Sequence, residues 1–121
     1  MPHLYDNIPA FLKQQPNWVV WGLPNAPPKA PFHPAGLLAG KPQPAKAGVR
    51  ETWDSYPHAV ECVTRGLARG IGYEFDGGGL YGVDLDHVID AEGTLTPEAR
   101  EVMGWLNSYT EVSPSGTGLH I

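Results

Sequence analysis

Apolar positions recur along the chain at two spacings, and each spacing marks an element. Ile8, Phe11 and Leu12 stand at i, i+3 and i+4. This predicts a short amphipathic helix over residues 5–14, with Asp6 or Asn7 near its cap and Pro16 as its stop. Asn17-Trp18-Val19-Val20-Trp21-Gly22-Leu23 is aromatic and β-branched and reads as a buried strand. Ala59, Val60, Val63 and Leu67 form the stripe of a second helix, capped by Asp54 or Ser55, with Pro57 near its first turn and Gly70 as its stop. Ile71, Tyr73 and Phe75 alternate with other residues over 70–75, and Tyr81, Val83 and Leu85 do so over 80–86. The glycines at 77, 78 and 79 predict that these two strands form a hairpin. Ala99, Val102, Met103 and Leu106 make the buried face of a third helix capped by Thr96. Two more strands follow, over 109–113 and from Leu119 onward. The fold class predicted is α+β: a mainly antiparallel sheet with helices packed on one face and the other face open.

Residues 24–50 hold more than half of the thirteen prolines, which excludes a central strand or a regular helix there. Lys29-Ala30-Pro31-Phe32 reads as a brief edge strand pairing back on the Trp18 strand. The 121 residues make one domain, 1–121, large enough for a core. The single Cys, Cys62, cannot close an internal disulfide, and a reducing cytoplasmic setting fits it. No apolar run approaches membrane-spanning length, and no membrane role is expected.

Net charge is −5, which argues against a general nucleic-acid coat. The charge is unevenly placed. Residues 7–50 carry Lys13, Lys29, Lys41, Lys46 and Arg50 and no acid, whereas residues 51–121 set twelve acids against Arg65, Arg69 and Arg100. One wall for phosphates and one for a cation is the functional reading; lysines that keep a long loop solvated is the plain one.

The candidate chemistry starts at Gly82-Val83-Asp84-Leu85-Asp86-His87. On a strand Asp84 and Asp86 share a face, about 6–7 Å apart along it. Two carboxylates leaning to one point repel, and a hard divalent cation, Mg²⁺ or Mn²⁺, relieves that repulsion. A solvated strand end is the alternative. An EF-hand loop is excluded, since Val88 and Ile89 stand where a ligand and a glycine are required. The second constellation is Ser113-Pro114-Ser115-Gly116-Thr117-Gly118-Leu119-His120. Its glycines let backbone N–H groups approach an anion, its hydroxyls add donors, and His120 can reach a phosphate oxygen.

Taken in order, these pieces resemble the archaeo-eukaryotic primase superfamily, and within it the primase-polymerase domains at the front of phage and plasmid replication proteins. The resemblance covers most of the chain. Trp18-Val19-Val20-Trp21 looks like the family's first strand. Lys29-Ala30-Pro31-Phe32 is similar to its Lys-x-Pro-aromatic segment, and Thr52-Trp53 and Gly70-Ile71-Gly72-Tyr73 also fit. The Asp84–Asp86 stretch matches the metal-binding first motif and the Ser113–His120 stretch the second.

The resemblance implies an RNA-recognition-like core and metal-dependent nucleotidyl transfer from nucleoside triphosphates on a single-stranded DNA template. It gives Asp84, Asp86 and His120 the catalytic roles, with Asp84 and Asp86 as metal ligands. It makes Lys29, Arg50, Ser115, Gly116, Thr117, Gly118 and His120 nucleotide-binding. It leaves open a fused or associated helicase. Two departures stand out. Gly118 occupies a position where the family often has Ser, so Ser115 would supply the hydroxyl. The family's third acidic motif would lie beyond Ile121, so a truncated chain with an incomplete sheet and weak or absent turnover is expected. Two other readings stay open: a non-catalytic nucleotide or single-strand binding module, and a metal-dependent phosphohydrolase.

Overall fold

In the computed structural model, which describes residues 5–77, 80, 82–106 and 108–121, the chain divides into two units, Met1–Gly78 and Gly79–Ile121. Both units pair short antiparallel strands and carry helices, which is the α+β class the periodicities predict.

The first unit is built around strand β1, Trp18–Trp21. Trp18 and Val19 are 3% exposed and Val20 is fully buried, so both faces of β1 are covered, as its unbroken apolar run requires. One edge of β1 pairs with β2, Gly70–Tyr73, in the register Trp18↔Tyr73 to Trp21↔Gly70. The other edge meets Asp54 at Trp18 and Phe32 at Val20. Phe32 and Val20 exchange backbone bonds of 2.7 and 3.1 Å, so the predicted edge contact of the proline-rich segment forms at that residue.

Helix α1 is only Ala10–Lys13, held where the Trp18 indole N–H donates to the Leu12 carbonyl at 3.0 Å. Residues 24–50 do contain a helix, α2 at Pro34–Leu38, contrary to the sequence expectation. Pro34 takes the first helical position, where its missing N–H costs nothing. The Asp54 carboxylate accepts from the Ala35 N–H at 2.8 Å and so caps this short helix from a distant segment.

Helix α3, Tyr56–Thr64, has Ser55 as its cap, whose hydroxyl accepts from the His58 N–H at 3.3 Å. It packs on β1 and on α2, and buries Ala59 and Cys62. Its stop is Gly66 and not Gly70. Gly66 has φ +75°, its N–H bonds the Val63 carbonyl, and the Leu67 N–H bonds the Cys62 carbonyl at 2.9 Å. Gly70 is a glycine for another reason: the Trp21 ring lies over its Cα, where a Cβ would collide with it.

The predicted hairpin between residues 70–75 and 80–86 is not among the strand pairings of the described residues. β2 pairs with β1, and the Asp84 strand belongs to a separate three-stranded sheet. Trp18–Trp21 offers β2 a large aromatic surface, with Trp18 edge-on to Tyr73 at 5.2 Å, and a glycine-rich link fixes no competing register. Gly78, Gly79 and Tyr81, part of that expectation, lie outside the described residues.

The second unit holds β3 (Asp84–Leu85), β4 (Glu111–Val112) and β5 (Leu119–His120) in the order β3-β5-β4, all antiparallel. Val83 and Ile121 extend the β3–β5 ladder through two backbone bonds of 2.8 Å. Helix α4, Pro97–Leu106, starts as predicted at Thr96, whose hydroxyl accepts from the Ala99 N–H at 3.2 Å. Among the described residues no helix is long and apolar enough to cross a membrane.

Candidate functional site

The three-stranded sheet gathers the acid strand and the hydroxyl-rich loop of the sequence into one place. Its register pairs Asp84 with His120 on one side of β5 and Glu111 with His120 on the other. Residues directly opposite one another share a face. Asp84, His120 and Glu111 therefore form a row across three strands. Leu85, Leu119 and Val112 form the matching row on the other face, with Leu119 3% exposed. The carboxylates of the first row are open to solvent, and of the second row Leu119 is buried, Leu85 is half-buried and Val112, on β4, is 58% exposed. Tyr81, expected on the apolar face, lies outside the described residues.

Val83 and Ile121 exchange both backbone bonds, so the next pair along, Asp84 and His120, occupies a non-hydrogen-bonded position of the ladder. Side chains come closest at such positions. The His120 Nε2 stands 3.6 Å from Asp84 Oδ1, and its Nδ1 stands 3.4 Å from Glu111 Oε1. The site is open: the side chains of Asp84, Glu111 and His120 are 65%, 48% and 42% exposed. Asp86 follows β3 and is exposed as well. The chain then turns through the left-handed region at His87, φ 56°, and the N–H groups of Val88 and Ile89 both donate to the Thr117 carbonyl, at 2.7 and 3.0 Å. The end of the acid strand is thereby tied to the loop.

The loop is shaped by its own short polar residues. Pro114 and Ser115 sit at the centre of a turn closed by the Gly116 N–H on the Ser113 carbonyl at 2.9 Å, with Gly116 at φ +81°. Hydroxyls run along it in a chain: Ser113 Oγ to Ser115 Oγ at 2.9 Å, then Ser115 Oγ to Thr117 Oγ1 at 3.0 Å. Ser113 Oγ also accepts from the Gly118 N–H at 3.0 Å. Ser115, Gly116 and Thr117 are exposed and Gly118 is buried. Gly118 cannot be the serine of the resembled pattern here, because a Cβ on it would lie 2.5 Å from the Leu85 carbonyl oxygen.

Lys29 and Arg50 belong to the first unit. Lys29 is exposed in a turn, and Arg50 pairs with Asp76 at 3.0 Å. Glu111 is the member of the row that the sequence reading missed. In Tyr109-Thr110-Glu111-Val112 it looks like an ordinary polar strand position, and only its register opposite His120 sets it apart.

Two exposed carboxylates on one strand end offer hard oxygen donors of the kind Mg²⁺ or Mn²⁺ takes. Among the described residues no three His, Cys, Asp or Glu converge as a closed ligand set. An open pair still fits Mg²⁺, which commonly keeps waters and is held by one or two carboxylates together with substrate phosphates.

No protein-family model matches the chain. Over 119 residues the chain is 33% identical to a DNA primase-polymerase of Nitratiruptor phage NrS-1. The alignment takes in 94% of this chain and 16% of the phage protein, so the chain spans about a sixth of that relative's length. This similarity supports a primase-polymerase family for the chain.

Proposed function

We propose that this chain forms part of the nucleotide- and metal-binding site of a DNA primase-polymerase, which builds a strand from nucleoside triphosphates on a single-stranded DNA template. The observation that carries the reading is the Asp84↔His120 pairing. It brings an acid from the Asp-x-Asp strand and the histidine that ends the loop, 36 residues apart in the chain, to 3.6 Å. Their convergence is what a pocket for a cation and a triphosphate needs. The similarity to the phage protein points the same way.

Asp84 and Asp86 would hold Mg²⁺ or Mn²⁺, which when bound supplies charge neutralisation at the phosphates and polarises the attacking hydroxyl. The chain's own groups do the rest. The exposed backbone of Ser115, Gly116 and Thr117 and the hydroxyls of the loop receive phosphate oxygens. His120 orients the same group from the sheet side. Catalysis of this kind is positioning and electrostatics with little covalent work for the protein. Cys62, buried and free, suits a reducing cytoplasm.

The test is a dATP titration of the chain with and without Mg²⁺, repeated for Asp84→Asn, Asp86→Asn and His120→Ala. Metal-dependent binding that both aspartate variants weaken and that His120→Ala weakens separately is the expected result. Binding that ignores the metal and all three substitutions would sink the assignment and favour a plain binding module. Phosphate release from dATP without any template would favour a phosphohydrolase.

A further inference from the structure

We infer that Glu111 is a positioning residue for His120: its carboxylate takes the imidazole Nδ1 and thereby fixes which nitrogen the ring presents toward Asp84 and a phosphate-bearing ligand. What the ring is for rests on the nucleotide reading above; the contact itself does not.

His120 sits on the central strand of the sheet with its side chain 42% exposed. An imidazole on an open face has a broad ring torsion and two neutral tautomers. Left alone it would present either nitrogen to a ligand. Here each nitrogen has a carboxylate beside it. Nε2 faces Asp84 at 3.6 Å and Nδ1 faces Glu111 at 3.4 Å. An ionised carboxylate only accepts, so the Nδ1 that Glu111 bonds carries hydrogen, and Nε2, 3.6 Å from Asp84, needs a hydrogen of its own to donate to a phosphate oxygen. The ring is thus set with Nδ1 toward β4 and Nε2 toward β3.

Glu111 is itself held. The Tyr109 hydroxyl donates to its second oxygen, Oε2, at 2.9 Å, leaving Oε1 for the ring. The order along the face is therefore hydroxyl, carboxylate, imidazole, carboxylate. A carboxylate behind a histidine, on the side away from the ligand, is a recurrent way to fix tautomer and ring orientation. The Glu111–His120 contact is long for a hydrogen bond, and such contacts commonly tighten once a ligand is in place.

The experiment compares wild type, Glu111→Ala and Glu111→Gln in the full chain. Nitrogen-15 shifts of the His120 ring, read by long-range proton–nitrogen correlation, give the tautomer, and dATP affinity in Mg²⁺ gives the consequence. Wild type should show a protonated Nδ1. Glu111→Ala should move the ring toward the mixture of a free histidine and weaken dATP binding by about tenfold, the low end of what losing an orienting partner costs. Glu111→Gln, whose amide oxygen can still accept, should restore most of both. Glu111 is exposed on an edge strand, so the substitutions spare the core. Ring shifts identical in wild type and Glu111→Ala would overturn the inference, as would a Glu111→Gln ring indistinguishable from that of Glu111→Ala. Wild type that fails to bind dATP would instead sink the nucleotide reading, and the ring shifts would still decide the role of Glu111.

Discussion

Replacing Gly118 by Ser should damage the site although it restores the residue that the resembled pattern often carries. A Cβ at position 118 would stand 2.5 Å from the Leu85 carbonyl oxygen and 3.1 Å from Ser113 Oγ. Ordinary contact begins at 3.4 Å, so β3 and β5 would have to part by roughly 0.9 Å, and the obstacle is backbone, which cannot swing aside. The bonds between Val83 and Ile121 are 2.8 Å long, and the same displacement would stretch them past hydrogen-bonding range. Two such bonds are worth about 1 kcal/mol each, which agrees with the 1–3 kcal/mol usual for overpacking. The row would open as well, with His120 drawn away from Asp84. Amide hydrogen exchange reads this locally: Val83 and Ile121 should exchange about thirtyfold faster for a loss of 2 kcal/mol. Gly118→Ala should do the same, because the Cβ and not the hydroxyl is responsible. If both variants protect these amides as well as wild type does, the close approach of loop and acid strand is wrong.

Three further outcomes follow from the first unit. Ser55→Ala removes the side-chain cap of α3 and should cost about 1 kcal/mol in urea unfolding, whereas Ser55→Asp should cost little. Arg50→Ala should cost well under 1 kcal/mol in urea unfolding, because the Arg50 side chain is 63% exposed and water screens its pairing with Asp76. Stability should fall on the alkaline side. Burial, then the Asp54 and Glu61 charges, push the Cys62 thiol above its usual 9.0, and burial, then Asp76, pushes the Tyr73 phenol above 10.0. Folded groups that hold protons more tightly than unfolded ones leave stability flat below pH 9 and lower it as pH climbs through 9 and past 10. Urea midpoints from pH 7 to 11 check this, and Cys62→Ala should push the onset higher.

The sequence spoke clearly wherever a local rule decides. Trp18-Val19-Val20-Trp21 has no polar face to offer water, so it had to be a covered strand. Ser55 and Thr96 are caps because short hydroxyl side chains reach the first free N–H groups of a helix. It was silent wherever the decision is made by a distant residue. Pro34–Leu38 is helical although prolines crowd it, because the Asp54 carboxylate, 19 residues on, supplies the cap. Gly66 and Gly70 are both plausible stops by spacing. Only the Trp21 ring lying over Gly70 shows that its lack of a side chain serves packing and not termination. The same division runs through the candidate site. Asp84, Asp86 and the Ser113–His120 stretch were visible because acids on a strand and hydroxyls in a glycine loop are unusual enough to notice. Glu111 was not, since one polar residue on an exposed edge strand looks like any other. Its position relative to His120 depends on strand register, which arises from the whole sheet and has no short-range mark. Residues that orient a reactive side chain are therefore harder to find in a sequence than the side chain itself. The pairing table of the strands is where to look for them, because a cross-strand neighbour is the cheapest second partner that a sheet can give a histidine.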